Sequence, residues 1–317
     1  MKNTTEALAS ALHNMNKYKF LTQVKEQYDQ GNNVIGFLKK LDNSTTNSLE
    51  DILISYDFQA GSYVQGYRQN ADLKEAYCQN IVKVLLGLGS FNSILEAGVG
   101  EATTLGRVVP QLPHAIGHVL GFDLSWSRIH YALGFMREQG IKHPTLFTGN
   151  LFQMPLADNS VDIVYTSHSV EPNGGREKEA LAELYRVANR YVVLLEPSYE
   201  LAGEEARARM LHHGYVTSLV SAAQELGYNI IEHRLFDVSI NPLNPTGLLV
   251  IEKNGSTTEA AEPFLACPHT KARLKPFDDS LFAEDSLLAY PKIQSIPCLL
   301  PQNAILATHF LNAYEAL

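Results

Sequence analysis

The middle of the chain, residues 76–253, alternates short apolar runs with longer amphipathic stretches. Seven apolar runs have the length of strands, and they lie at residues 93–97, 119–122, 145–147, 161–166, 191–196, 229–235 and 248–252. Between them, residues 127–138, 178–188 and 216–226 show helical periodicity most clearly. A regular alternation of strands and helices is typical of a parallel sheet covered by helices, so we predict an α/β domain built on a seven-stranded sheet.

Residues 1–75 have a different, mostly helical pattern. Leu8 and Leu12, and then Phe20, Val24 and Tyr28, recur at spacings near 3.6 residues. We therefore predict an N-terminal helical region ahead of the α/β domain.

An aromatic segment rich in glycine and polar residues lies near the end of this region and includes Tyr56, Tyr63 and Tyr67. It is too polar for a buried strand. Two interpretations stay open, an amphipathic connecting segment or a lid over a small-molecule site. In the second, these tyrosines form the inner face of the lid.

The end of the chain differs in composition from the predicted domain. Residues 254–262 are polar and are predicted to be a linker. Residues 263–317 hold six of the fourteen prolines and two of the three cysteines, so we predict a separate small module there.

Composition and charge exclude several classes of protein. The 317 residues carry a formal net charge of −9, which disfavours a basic nucleic-acid-binding face. Three cysteines cannot form a disulfide framework and fit a reducing cytoplasm. No apolar run approaches the ~20 residues of a membrane span, and the first residues do not resemble a signal peptide.

The sharpest local motif follows the first predicted strand. Glu96 ends the strand and is followed by Gly98 and Gly100, which allow a tight turn and a close approach of the backbone to a ligand. A branched side chain at Gly98 should therefore block a cofactor without changing the fold. The dinucleotide fingerprint requires a glycine where Thr103 stands, which argues against a nicotinamide cofactor.

An acidic residue, Asp123, ends the second predicted strand. An acid in this position can accept hydrogen bonds from both hydroxyls of a ribose. The alternative for an isolated aspartate after a strand is a helix N-cap. Its spacing from the glycine loop favours ribose binding.

A third block covers residues 149–162 and reads GNLFQMPLADNSVD. Together with the glycine loop and Asp123, it resembles class I S-adenosylmethionine-dependent methyltransferases, and most closely the ubiquinone and menaquinone methyltransferases. The resemblance covers about residues 90–253 and implies a Rossmann-like sheet, methyltransferase activity and S-adenosylmethionine as the cofactor. By position it implies these cofactor contacts: Glu96, Gly98 and Gly100 at the methionine end, Asp123 at the ribose, and Leu124, Asn150 and Leu151 at the adenine.

The segment after the fourth predicted strand lies where this family meets its methyl acceptor. His168 is a candidate general base and Glu171 a candidate orienting residue. The alternative is that His168 only caps the strand end or faces the cofactor. Asn173 and Tyr199, with Tyr56, Tyr63 and Tyr67, are the predicted acceptor-binding residues.

The C-terminal module resembles a small zinc-ribbon family that includes the activator subunit of tRNA and protein methyltransferases. The resemblance depends on Leu265 to Thr270 and on Tyr290 to Leu300. Two ligand positions are occupied by Thr270 and Ala283, and tetrahedral zinc needs four ligands, so we predict a degenerate, metal-free ribbon. We expect the module to serve either in docking a protein partner or a second copy of the chain, or as a cap that covers the substrate.

Three functional hypotheses follow. The first is a cytoplasmic methyltransferase that acts on a small polar metabolite, such as a sugar or natural-product intermediate, at oxygen or nitrogen. The second is a methyltransferase for RNA or protein that is recruited through the C-terminal module. The third is a scaffold that kept cofactor binding but lost chemistry.

Overall fold

The computed structural model of the protein describes residues 16–239, 241–255 and 262–315. The predicted helix around Leu8 and Leu12, and most of the predicted linker, lie outside the described residues. The α-helices are α1 (Leu21–Asp29), α2 (Val34–Leu41), α3 (Leu49–Phe58), α4 (Ser62–Gln69), α5 (Ala71–Gly87), α6 (Leu105–Val108), α7 (Trp126–Glu138), α8 (Glu177–Val187), α9 (Glu204–His213), α10 (Leu219–Glu225) and α11 (Phe310–Glu315).

A seven-stranded sheet forms the centre of the molecule, which confirms the predicted fold class. Its strands are β1 (Ser93–Ala97), β2 (His118–Asp123), β3 (Thr145–Thr148), β4 (Val161–Ser167), β5 (Ala188–Pro197), β6 (Asn229–Leu235) and β7 (Thr246–Glu252). They are arranged in the order β3-β2-β1-β4-β5-β7-β6. Strands β1 to β5 are parallel, and β7 runs antiparallel to both β5 and β6.

Helices cover both faces of this sheet, which explains why its strands are almost uniformly apolar. On β1, Leu95 and Ala97 belong to one core and Ile94 to the other, because successive side chains point to opposite faces. Helices α5, α6 and α7 pack on the Ile94 side, and α8 and α10 pack on the opposite side. The last of these is shorter than the predicted 216–226, and α9 was not predicted.

The N-terminal helices form a small core of their own from Val24, Val34, Leu38 and Ile54. Helix α3 begins with a capping box, in which Ser48 and the third residue of the helix exchange side-chain and backbone hydrogen bonds. The aromatic segment, which includes Tyr56, Tyr63 and Tyr67, forms the end of α3 and most of α4. These two helices cover the carboxyl ends of the central strands.

The C-terminal module is built from β8 (Lys275–Pro276), β9 (Ser280–Ala283), β10 (Leu288–Ile293), β11 (Ile296–Pro297), β12 (Ile305–Leu306) and α11. It shares a hydrophobic core with the sheet. The Leu299 N–H donates to the Thr148 carbonyl at 3.1 Å, and the Ala266 N–H donates to the Pro155 carbonyl at 2.9 Å. The predicted separate module is therefore packed against the β3 edge.

Candidate active site

A cavity of about 620 Å³ opens at the carboxyl ends of β1, β2 and β4, beneath α3 and α4. The strand order reverses at β1, which has β2 on one side and β4 on the other. Open α/β sheets bind their ligands at such a reversal. The volume lies within the usual ~300–1,000 Å³ of small-molecule sites.

The two glycines of the first loop have left-handed backbones, with φ of 74° at Gly98 and 54° at Gly100. A Cβ atom on Gly98 would lie 2.2 Å from the Cβ of Ser169, and one on Gly100 would lie 2.7 Å from Nη2 of Arg128. Gly98 is thus needed to pack the first loop against the loop after β4. The expectation that a larger residue there leaves the fold unchanged is wrong, because it would clash inside the protein.

Glu96, at the end of β1, links the glycine loop to the sheet through side-chain hydrogen bonds. Its Oε2 accepts hydrogen bonds from the Tyr165 hydroxyl at 2.7 Å and the Leu105 N–H at 2.8 Å. Burial raises the pKa of Glu96 to about 7, although these donors favour the ionised form. Glu96 also lines the cavity, as predicted.

Asp123 lies on the cavity wall at the end of β2, and Leu124 follows it there. Its Oδ2 accepts from the Gly100 N–H at 3.0 Å and its Oδ1 accepts from the Ser125 N–H at 2.9 Å. Each carboxylate oxygen has a further lone pair, so Asp123 can still accept from a ligand hydroxyl. The carboxylate therefore joins the glycine loop to the start of α7.

The third sequence block brings Leu151 to the cavity, but Asn150 does not line it. The Asn150 Oδ1 instead accepts from the Phe152 N–H at 3.0 Å within the turn. Its predicted contact with adenine is not supported by its position. The cavity wall at this point is formed by Gly149, Leu151 and Phe152.

His168 and Glu171 form a hydrogen-bonded pair on the opposite wall. His168 Nδ1 lies 2.7 Å from Glu171 Oε2, and His168 Nε2 lies 2.8 Å from the Thr246 hydroxyl. Asn244 Nδ2 also donates to Glu171 Oε2, at 3.2 Å. Glu171 raises the pKa of His168 against the opposing effect of burial, and the partners of Glu171 hold its pKa below the usual value.

The backbone of His168 is left-handed, with φ of 55°, which is uncommon for a residue with a side chain. Glu196, only 2% exposed on β5, holds the turn that follows. Its Oε1 accepts from the N–H groups of Ser169 and Val170, at 3.1 and 3.2 Å, and its Oε2 accepts from that of Glu171, at 2.9 Å. Backbone strain at such a position is a frequent feature of functional sites.

Two carboxylates attach the covering helices to the cofactor side of the cavity. Glu101, from the glycine loop, accepts from the Gly61 N–H at 2.9 Å and the Val64 N–H at 2.7 Å at the start of α4. Asp57, at the end of α3, accepts from the Ser125 hydroxyl at 2.5 Å and the Ser127 hydroxyl at 3.1 Å at the start of α7. Negative charge at a helix N-terminus is favourable.

The structure places the predicted acceptor residues unequally. Tyr56, Tyr63, Tyr67 and Asn173 all line the cavity. Tyr199 does not, since it packs on a separate cluster of Ala202, Ala206 and Met210 beneath α9. Its predicted place at the acceptor site is not supported by this position.

Several polar residues that line the cavity were not predicted from the sequence, and Arg128, Asn244 and Thr246 are among them. Arg128 belongs to α7, Asn244 lies in the turn between β6 and β7, and Thr246 is the first residue of β7. The Asn244 Oδ1 is buried and has no hydrogen-bond partner among the described residues. For Asn244 and Thr246, the only signal in the sequence was their position shortly before the predicted strand at residues 248–252.

At the degenerate ribbon positions, buried Cys267 has its Sγ 3.3 Å from the Tyr290 hydroxyl. Thr270 is exposed and Ala283 is buried within β9. In the parts of the chain that the structure describes, no three His, Cys, Asp or Glu residues are grouped as metal ligands. A metal-free module stays a prediction.

Comparison with known proteins gives one family match. Residues 94–190 match a family model described as a methyltransferase domain. No curated protein matches the chain.

None of the helices within the described residues is long and apolar enough to cross a membrane.

Several solved structures resemble the chain at low sequence identity. One is a magnesium protoporphyrin IX methyltransferase from Synechocystis PCC 6803, 14% identical, with a TM-score of 0.48, covering 63% of this chain and 99% of that one. Another is an S-adenosylmethionine-dependent methyltransferase from Aquifex aeolicus, with 18% identity, a TM-score of 0.43 and coverage of 54% and 88%. A third is geranyl diphosphate C-methyltransferase from Streptomyces coelicolor A3(2), with 12% identity, a TM-score of 0.44 and coverage of 55% and 78%.

The family match extends from β1 into β5 and includes the glycine loop, Asp123 and the His168–Glu171 pair. Residues 94–190 therefore match a methyltransferase domain, and this match supports the predicted cofactor, S-adenosylmethionine. The cavity fits it, since six of the seven predicted cofactor residues line the wall. The closer likeness to the ubiquinone and menaquinone enzymes, and the zinc-ribbon resemblance, are not supported by these comparisons.

Proposed function

We propose that the protein transfers a methyl group from S-adenosylmethionine to an oxygen or nitrogen atom of a small polar metabolite, such as a sugar or natural-product intermediate. One observation carries the proposal. Six of the seven predicted cofactor residues and the His168–Glu171 pair line the same cavity of about 620 Å³. A catalytic base and an electrophile must share one enclosed space for the reaction to occur.

On the cofactor side, the cofactor would supply a methyl group made electrophilic by its sulfonium. Asp123 would accept from the ribose hydroxyls with the lone pairs that Gly100 and Ser125 leave free. Leu124 and Leu151 would flank the adenine. Glu96 and the backbone of the glycine loop would border the methionine end.

On the acceptor side, His168 would take up the proton of the acceptor. Because an ionised carboxylate only accepts hydrogen bonds, Glu171 requires a hydrogen on Nδ1 of His168. In the neutral ring the lone pair is then on Nε2, which accepts from the Thr246 hydroxyl. Thr246 can pass a proton from the acceptor to Nε2, or the acceptor can replace Thr246 and donate directly.

The same pair sets the pH range of this base. Glu171 raises the pKa of His168, which makes the imidazole a stronger base but leaves more of it protonated at neutral pH. The proposed activity should therefore increase with pH through a value above the ordinary 6.5 of histidine. A histidine that only positions the acceptor would not impose this dependence.

The covering helices would complete the acceptor site. Tyr56, Tyr63 and Tyr67 present aromatic surface to the cavity, and Asn173 and Asn244 present amides. The unpaired Oδ1 of Asn244 would accept from a hydroxyl or amine of the acceptor. Together they would suit a small polar metabolite, because the amides can bind its polar groups and the tyrosine rings can pack against its less polar faces.

We also propose a cytoplasmic location, because all three cysteines are free. A homo-oligomer or a protein partner bound through the C-terminal module belongs to the same proposal. An acidic chain without a basic patch gives no support to a nucleic acid as partner.

Methyl transfer from radiolabelled cofactor tests the proposal directly. Purified protein would be incubated with a fractionated metabolite pool and, separately, with tRNA, ribosomes and total protein. Label in a small metabolite is the expected result, and its rate of incorporation should fall roughly 10²-fold with His168→Ala. Label confined to RNA or protein would refute the small-molecule acceptor. Cofactor binding without transfer to any fraction would favour a scaffold.

A further inference from the structure

Arg128 lies in the first turn of α7 and lines the cavity. It is only 7% exposed. Its guanidinium carbon lies 4.5 Å from the centre of the Tyr63 ring and 5.1 Å from that of the Tyr56 ring. Contacts with two aromatic rings hold a planar guanidinium in a defined orientation.

This buried cation has unused hydrogen-bond donors. Its Nε is buried and has no hydrogen-bond partner among the described residues. The ion pair with Asp123 spans 3.9 Å from Nη1 to Oδ2, which is too long for a hydrogen bond. Leaving a charged donor buried and unsatisfied is costly, so a partner from outside the protein is expected.

We propose that Arg128 binds a carboxylate of a ligand in this cavity. A planar fork of N–H groups matches the two oxygens of a carboxylate and can donate to both. Two ligands could bring that group, the cofactor through its amino-acid end and the methyl acceptor if it is a carboxylic acid. The inference rests on the proposed function, because that function provides both ligands. It adds Arg128 as the residue that would bind the carboxylate of either one.

Calorimetry with two cofactor analogues distinguishes these sources. S-adenosylhomocysteine has the carboxylate, whereas 5′-methylthioadenosine has the same nucleoside without the amino acid. If the cofactor carboxylate binds here, Arg128→Met should weaken S-adenosylhomocysteine roughly 10- to 100-fold and 5′-methylthioadenosine less than twofold. Arg137→Met, an exposed position on the same helix, is the matched control and should change neither.

The acceptor arm uses benzoate as the carboxylate and benzamide as its neutral counterpart, both added to the S-adenosylhomocysteine complex. If the carboxylate belongs to the acceptor, wild type should bind benzoate in preference to benzamide. Arg128→Met should lose that preference while binding both cofactor analogues normally. Arg128→Lys, which keeps the charge but not the fork, should restore only part of the lost affinity in either case.

Thermal unfolding separates ligand binding from a structural role. Arg128→Met leaves the buried Asp123 without its ion-pair partner and removes the contacts with two rings, so the free variant should melt below wild type. The carboxylate ligand should also raise its melting temperature less than it raises that of wild type. The proposal is refuted if Arg128→Met binds all the carboxylates like wild type, or if it weakens both cofactor analogues equally. If wild type bound neither analogue, the proposed function would fail, and the benzoate arm, run on the free protein, would still decide the role of Arg128.

Discussion

Replacing Glu196 by glutamine is the most direct test of how the His168 loop is held. The glutamate accepts three backbone N–H groups from consecutive residues, 169 to 171, at 2.9–3.2 Å. Glutamine has nearly the same shape but only one oxygen. If that oxygen accepts the hydrogen bonds from Ser169 and Val170, the new NH₂ group faces the N–H of Glu171. Both of these groups are donors, so neither can accept a hydrogen bond from the other.

The magnitude follows from these contacts. A buried N–H without an acceptor costs about 1–3 kcal/mol. Loss of the charge from the two remaining bonds adds about 1 kcal/mol, since charge-assisted hydrogen bonds are about twice as strong as neutral ones. The closed loop should therefore lose about 2–4 kcal/mol relative to open forms. Local opening would become roughly 30- to 1,000-fold more frequent.

Hydrogen exchange by mass spectrometry measures this opening in the peptide that contains residues 168–173. Glu196→Gln should speed exchange there by the factor above and leave peptides from α1 unchanged. Methyl-transfer turnover should fall in parallel, because His168 and Glu171 both lie on this loop. Glu26→Gln removes an exposed carboxylate from α1 and is the matched control. Exchange within threefold of wild type would refute the assigned role of Glu196.

Three further predictions concern the cavity itself. His168→Ala should lower turnover roughly 10²-fold with little change in cofactor affinity. The wild-type rate should fall as pH decreases through a pKa above 6.5, and a flat pH profile would refute the role of His168 as general base. Asp123→Ala should weaken S-adenosylhomocysteine by about 10²-fold in calorimetry, and an unchanged affinity would contradict ribose binding. Gly98→Ala should lower the free energy of unfolding by at least about 2 kcal/mol, because its Cβ would meet Ser169 at 2.2 Å, whereas Gly134→Ala in open space on α7 should not destabilise the protein.

Local patterns in the sequence predicted the sheet and part of the cavity wall. All seven strands lie within three residues of their predicted bounds, because each is a short apolar run between turns. Glu96, Gly98, Gly100 and Asp123 reach the cavity because parallel strands end at one edge of the sheet. These features depend on neighbours in sequence and on a general rule of topology.

Contacts between distant segments could not be predicted. Glu101 accepts a hydrogen bond from Val64, which is 37 residues away in sequence. Arg128 contacts the rings of Tyr56 and Tyr63, which are more than 60 residues away. Asn244 reaches the cavity through the turn before β7, whose path depends on tertiary packing. Composition and periodicity describe a face or a strand, but they do not say which loops meet above it.

The C-terminal module has a consequence for the order in which the protein can fold. The Thr148 carbonyl on the edge strand β3 accepts from Leu299, a residue made 151 positions later. Until the ribosome has released that segment, the strand edge and the apolar surface beneath the module are open to other chains. A nascent chain stopped after β7 should therefore aggregate or recruit chaperones, even though it already contains every residue that lines the cavity.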